Sequence, residues 1–206
     1  MRKRILMEQS GQVLAEFAVL TLVLIVIIAF AVDFGIANAN KARLTQAAQN
    51  AEAECALPAV ALQVKNSDSP GKDMCRALIA SLREDGYEGA VTAYYYEPTQ
   101  PESGLPDTRR VYIYGVLLET DAQTLFSVGA GGMKIPISAR IWQYSVAYSS
   151  TKVWHPTMLD NGYISVGAGE SAEAKPITPV MSLDEATMPG GMDILKEAIQ
   201  DANQRV

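Results

Sequence analysis

Residues 11–33 read GQVLAEFAVLTLVLIVIIAFAVD. A glycine opens the stretch, and a carboxylate, Glu16, follows five residues later. From Phe17 to Val32 no residue is charged, and Thr21 alone carries a polar side chain. Val13 to Val32 is 20 residues. At about 1.5 Å of rise per residue, a helix of that length covers roughly 30 Å, the thickness of a bilayer's hydrocarbon core. The stretch therefore reads as a membrane-length helix, and the rest of the chain is arranged after it.

The preceding residues, MRKRILMEQSG, are too short to fold alone. Arg2, Lys3 and Arg4 stand before the apolar run and would hold the N-terminus on the cytoplasmic side. Glu16 is the anomaly. A carboxylate costs about 2.5 kcal/mol or more near the centre of a bilayer and less near its edge. It is either a tolerated interfacial acid or a group with a cationic partner. An ordinary signal peptide is a third reading, with Ala37-Asn38-Ala39 as its cleavage site. Against it, the apolar core is longer than the usual 7–15 residues.

The helix is expected to run on to about residue 57. Residues 36–57 are rich in Ala, Gln, Glu, Lys, Arg and Leu, all good helix formers. Leu44, Ala47, Ala48, Ala51 and Cys55 make a narrow apolar stripe, with Asn38, Lys41, Thr45, Gln49 and Glu52 assigned to other faces. Gly35 is a point of bending, and Pro58 marks the end. KNSDSPGK, residues 65–72, reads as a loop. Residues 73–85 read as a second helix with Cys75, Leu78, Ile79 and Leu82 on one stripe and Gly86 as its stop.

From Gly89 the period changes from helical to alternating. Val91, Ala93 and Tyr95 oppose Thr92, Tyr94 and Tyr96. Val111, Ile113, Gly115 and Leu117 oppose Tyr112, Tyr114 and Val116. Both runs are strands, with residues 99–108 as a polar turn between them. Residues 121–127 are expected to form a short helix capped by Thr120, and Gly129–Gly132 a turn. Residues 134–150 give one long strand or two. Residues 160–191 show no sustained period. Residues 192–204 recover a helical stripe in Ile194, Leu195, Ala198, Ile199 and Ala202, either packed on the domain or left as a tail.

Composition excludes several functions. The chain has 206 residues and a formal net charge of -6. Without its leader it keeps 14 basic against 22 acidic side chains, a poor balance for neutralising phosphates. Nucleic acid is not an expected partner. His155, in a Trp-His-Pro turn, is the sole histidine, and a catalytic Ser/His/Asp or Cys/His set would have to be built on it. No Cys/His cluster has metal-ligand spacing. The glycines before Lys134 lack the ending of a phosphate loop. No enzyme activity, cofactor or metal is expected. The Tyr94–Tyr96 run is sheet packing or, in part, an adhesive face. Cys55 and Cys75 are either a disulfide, plausible outside the cytoplasm, or two buried thiols.

Gly11, Glu16-Phe17 and the apolar helix resemble the processing signal of type IV pilins and pseudopilins. The longer stretch, with Asp33-Phe34-Gly35 at the exit and an Ala-rich 37–56 segment, is similar to the TadE-like minor pilins of the tight-adherence (Flp) pilus system. The resemblance covers about the first 56 residues. It implies cleavage between Gly11 and Gln12 by a prepilin peptidase. Glu16 would become the fifth mature residue, paired with the N-terminal amine of a neighbouring subunit, and Phe17 would join it in assembly. It also implies other pilin or pseudopilin subunits, pilus assembly proteins and the membrane as partners. Gln12 departs from the Phe or Met usual in type IV pilins, and the body is far longer than a major Flp pilin. Both favour a minor pilin. A non-assembling, signal-anchored envelope domain and a type II secretion pseudopilin are the alternatives.

The expected architecture is α+β and pilin-like: a long N-terminal helix, then a small antiparallel sheet domain with a second helix. The expected segments are a leader at 1–11, a transmembrane helix at 12–33, its amphipathic continuation at 34–57, an extracytoplasmic domain at 58–159 and an acidic C-terminal segment at 160–206.

Overall fold

The structure is a computed structural model that describes residues 2–106, 108–123, 134–148 and 160–204. The expected glycine turn at 129–132 and the Trp-His-Pro turn at His155 lie outside those residues.

Helix α1 runs Arg2–Cys55 without interruption. The leader, expected not to fold, is its first turns. Alone it could not nucleate a helix, but joined to a long one it needs only propagation, which is far less costly. Thr21 donates its hydroxyl to the Phe17 carbonyl at 2.8 Å, so the single polar side chain of the apolar run is satisfied by its own helix. Gly35 lies within the continuous helix, and a Cβ there would meet nothing.

Contacts divide the chain into two compact units. One is Met1–Lys41 with Asp121–Ile137; the other is Ala42–Thr120 with Ser138–Val206. In the first, Asp33, Ala122 and Ile137 are buried. An exposed ion pair joins Lys134 to Asp121 at 3.5 Å, a contact worth at most about 1 kcal/mol.

The second unit holds the sheet. After α1 come α2 (Pro58–Asn66), α3 (Pro70–Glu84), β1 (Ala90–Tyr96), α4 (Gln100–Ser103), β2 (Arg109–Gln123), β3 (Lys134–Tyr148), β4 (Gly162–Val166), β5 (Thr178–Pro179) and α5 (Gly191–Gln204). Pro58 and Pro70 each sit in the first turn of a helix, where the missing N–H has no partner to lose. Pro58 therefore starts α2 after α1 has ended at Cys55. The five strands are ordered β3-β2-β1-β4-β5. β1 is central, antiparallel to β2 with Tyr94 opposite Gly115, and to β4 with Tyr94 opposite Tyr163.

Helices cover both faces of the sheet. On one, the α3 stripe of Cys75, Leu78, Ile79 and Leu82 is buried, and Cys75 donates to the Ala93 carbonyl at 3.3 Å. Gly71 permits this approach: a Cβ there would collide with the Asp160 carbonyl and the Tyr95 ring. On the other, Tyr94, Tyr96, Val111 and Ile113 share a core with Leu195, Ala198 and Ala202 of α5. The alternation expected from the sequence is thus two buried faces, and α5 is a packed element rather than a tail.

Three local expectations are corrected. Residues 121–123 continue β2 instead of opening a helix; pairing in the sheet overrides the weak cap signal at Thr120. The capping box forms at Thr99, whose backbone N–H reaches the Glu102 carboxylate at 2.7 Å, so part of the 99–108 turn is α4. Within residues 160–191, Gly162–Val166 is β4, paired along β1. Five residues are too few to announce a period.

Candidate functional site

The segment that carries the expected processing and assembly residues is the first half of α1. Arg2, Lys3 and Arg4 occupy its first turns, and no acid is present in the first turn. Cations at that end oppose the helix dipole, which favours anions there. The three charges are therefore not explained by helix stability. The Gly11–Gln12 peptide bond lies inside the helix. Glu16 follows Gln12 by four residues, which places both on one face. Glu16 is exposed, and Phe17 is 66% exposed beside it.

Beyond them the helix is apolar on every face. Fourteen Val, Leu, Ile and Phe side chains between Val13 and Val32 are exposed. Burying each is worth about 1.5–3 kcal/mol, hence on the order of 20 kcal/mol or more for the set. A single carboxylate costs about 2.5–3.5 kcal/mol even at a bilayer centre. The apolar term wins by a wide margin, so Glu16 does not prevent membrane burial. Among the described residues this is one helix long and apolar enough to cross a membrane.

The structure does not join the two cysteines. Cys55, on α1, and Cys75, on α3, are separate, buried thiols. Burial raises the Cys55 thiol to about 12, helped by the nearby Glu54 and Glu52 carboxylates. Burial also raises Cys75, whose hydrogen bond points into the sheet. Protonated thiols of this kind are poor nucleophiles.

Sequence reasoning missed two buried polar groups. Glu52, assigned to an outer face, is 4% exposed, and burial pushes its carboxyl up to about 8. A signal was present: Glu52 stands four residues after Ala48, directly along the buried stripe. The second group is a network at the ends of β1 and β2. Arg110 clamps Glu97 with two bonds of 2.6 and 2.7 Å, and the Tyr95 hydroxyl donates to the same carboxylate at 2.8 Å. Asn161 exchanges hydrogen bonds with the Glu97 backbone, both at 2.8 Å, and so ties in the start of β4. The Glu97 network ties β1, β2 and the start of β4 together.

Residues 11–51 match the family model described as TadE-like protein. No curated protein and no solved structure matches the chain. The matched region opens at Gly11, contains Glu16 and the exposed apolar helix, and ends in the Ala-rich stripe that enters the sheet body. In that region the chain is similar to TadE-like proteins.

Proposed function

We propose that the chain is a minor pilin, or pseudopilin, that takes part in assembling or priming a tight-adherence pilus. The observation that carries this reading is one helix bearing an acid five residues after a glycine, followed by a membrane-length run of exposed apolar side chains, within the region that matches the TadE-like model.

In this reading Arg2, Lys3 and Arg4 keep the N-terminus inside the cell, and the sheet body lies outside the cytoplasm. A prepilin peptidase cuts between Gly11 and Gln12. The bond lies within a helix, so the enzyme must unwind it first. Gly11 makes that easier, because glycine is worth about 1 kcal/mol less than alanine in a helix. Cutting removes the leader's three cations and creates an ammonium on Gln12. That ammonium, on a neighbouring subunit, pairs with Glu16. Each charge then offsets the other's cost in the membrane, and the pair sets the axial register of packed helices.

The test is the N-terminal residue of the membrane-extracted protein, made with and without a prepilin peptidase. The expected mature chain begins at Gln12 only with the peptidase. A chain beginning at Met1, or after Ala39, in both cases defeats the proposal. The body's closed two-faced core supports a second reading, a signal-anchored envelope domain that never assembles. Glu16→Ala separates the two: it impairs pilus assembly in the first and leaves an anchored domain functional in the second. A type II secretion pseudopilin shares the processing chemistry, and the TadE-like match favours the tight-adherence system over it.

A further inference from the structure

On α1 every side chain at residues 13–28 is exposed. Cover begins at Ala29, which is half-buried, and continues through buried Asp33 and half-buried Ile36, Ala37 and Asn40. Those spacings lie on one face of a helix. The compact unit that holds this part of α1 has one other segment, Asp121–Ile137. Its described residues are 121–123, the end of β2, and 134–137, the start of β3, the sheet neighbour of β2. Ala122 and Ile137 are buried there, as Asp33 is on α1. The covered face of α1 thus starts one turn inside the apolar run, which ends at Val32.

The helix sets the depth of these strand ends. With residues 13–32 filling a hydrocarbon core of about 30 Å, the headgroup layer beyond it is about 5–8 Å thick. At about 1.5 Å of rise per residue, roughly five residues of α1 after Val32 cross that layer. A segment packed along α1 at Asp33 shares that depth. We propose that the paired ends of β2 and β3 rest in the headgroup layer, a contact with the bilayer in addition to α1. The exposed side chains suit that place. Ile135 and, on α1, Phe34 are apolar, matched to the boundary with the acyl chains. Lys134 and Asp121 form an exposed pair with no net charge. A zwitterionic phospholipid offers the lysine a phosphate and the aspartate a positively charged nitrogen, so an anionic surface is not required. The proposal rests on α1 crossing the membrane and is independent of the pilin reading.

The experiment places one added tryptophan at a time in the full chain, by Val23→Trp, Phe34→Trp or Ile135→Trp. Each variant is reconstituted at a low protein-to-lipid ratio in phosphatidylcholine vesicles whose lipids are brominated either near the headgroup or near the chain ends. The signal of native Trp142 and Trp154 is subtracted using the unsubstituted chain. Val23→Trp is expected to be quenched about twofold or more better by the deep bromines, and Phe34→Trp and Ile135→Trp by the shallow ones. Lys134→Trp, at another exposed position, replaces Ile135→Trp should that variant misfold. An unquenched Ile135→Trp beside a quenched Val23→Trp means that protein or water covers the strand ends; it overturns the proposal and leaves the membrane helix standing. An unquenched Val23→Trp overturns both. Quenching of Ile135→Trp chiefly by the deep bromines overturns the assigned depth, and a requirement for added phosphatidylglycerol overturns the zwitterionic partner.

Discussion

Glu52 keeps its proton in the folded chain well past the pH at which an exposed glutamate loses it. Its carboxyl titrates at about 8 when buried, against an ordinary 4.5. Below the lower value both states are protonated, and burial costs no ionisation. Between the two the unfolded chain releases the proton while the folded chain retains it, so stability falls as pH rises and levels off above the higher value. Glu52→Gln should therefore stabilise the protein at pH 8.5 by on the order of a few kcal/mol and change it little at pH 4. Urea unfolding at the two pH values checks this; an equal effect at both would show that ionisation is not the cause. Glu97 matters through its contacts: Arg110 and the Tyr95 hydroxyl both bond to its carboxylate. Glu97→Ala should cost about 3–5 kcal/mol by stranding buried Arg110, read as a drop in the urea midpoint. Neither role was apparent from residue type. Glu52 differs from exposed Gln49 only by its turn on the helix. Glu97 and Arg110 are 13 residues apart and meet only once the β1–β2 register is set, which a ten-residue connection does not fix.

At the scale of elements, α3 shows how far local signals reach. Its stripe from Cys75 to Leu82 was legible because four apolar residues repeat at helical spacing. Its true start at Pro70 was not, because the group that satisfies it lies far away. Asp160 accepts from the Gly71 and Lys72 N–H groups at 2.7 and 2.9 Å, doing the work of an N-cap residue from 89 and 88 residues away. Asp160→Ala should cost about 1–2 kcal/mol, the usual worth of a cap. The measurement is hydrogen exchange, expected to quicken most at the first turn of α3; uniform quickening would instead indicate global loss. α5 was equally legible as an amphipathic helix, since Leu195, Ala198 and Ala202 fall on one stripe. A stripe declares that a face will be buried but not against what. Tyr94, Tyr96 and Ile113 supplied the answer only in three dimensions.

At the scale of the molecule, the change of period near Gly89 was enough to read an α+β body after a long helix. The strand order was beyond reach. β4 comes last but one in the chain yet pairs with central β1, and no local pattern encodes such a return. The residues proposed for processing and assembly could be named from the sequence for the reverse reason. They form a contiguous segment whose meaning depends on spacing along one helix. Deleting residues 191–206 should leave the membrane helix intact and abolish the folded body. Limited proteolysis of membranes carrying the truncated chain should yield a protected fragment ending near the start of the body, while the full chain resists. A truncated body that resists equally would show that α5 is dispensable.

The position of α5 in the core has a temporal consequence. Ribosomes deliver the chain from Met1 onward, so the membrane helix exists as a finished object long before Leu195 and Ala198 are made. Throughout that interval Tyr94, Tyr96, Val111 and Ile113 lack the surface that covers them. Insertion must therefore come first and completion of the body last, and a chain stalled anywhere before residue 190 presents an unfinished, adhesive sheet. Any step that needs a finished body must wait until α5 has been made.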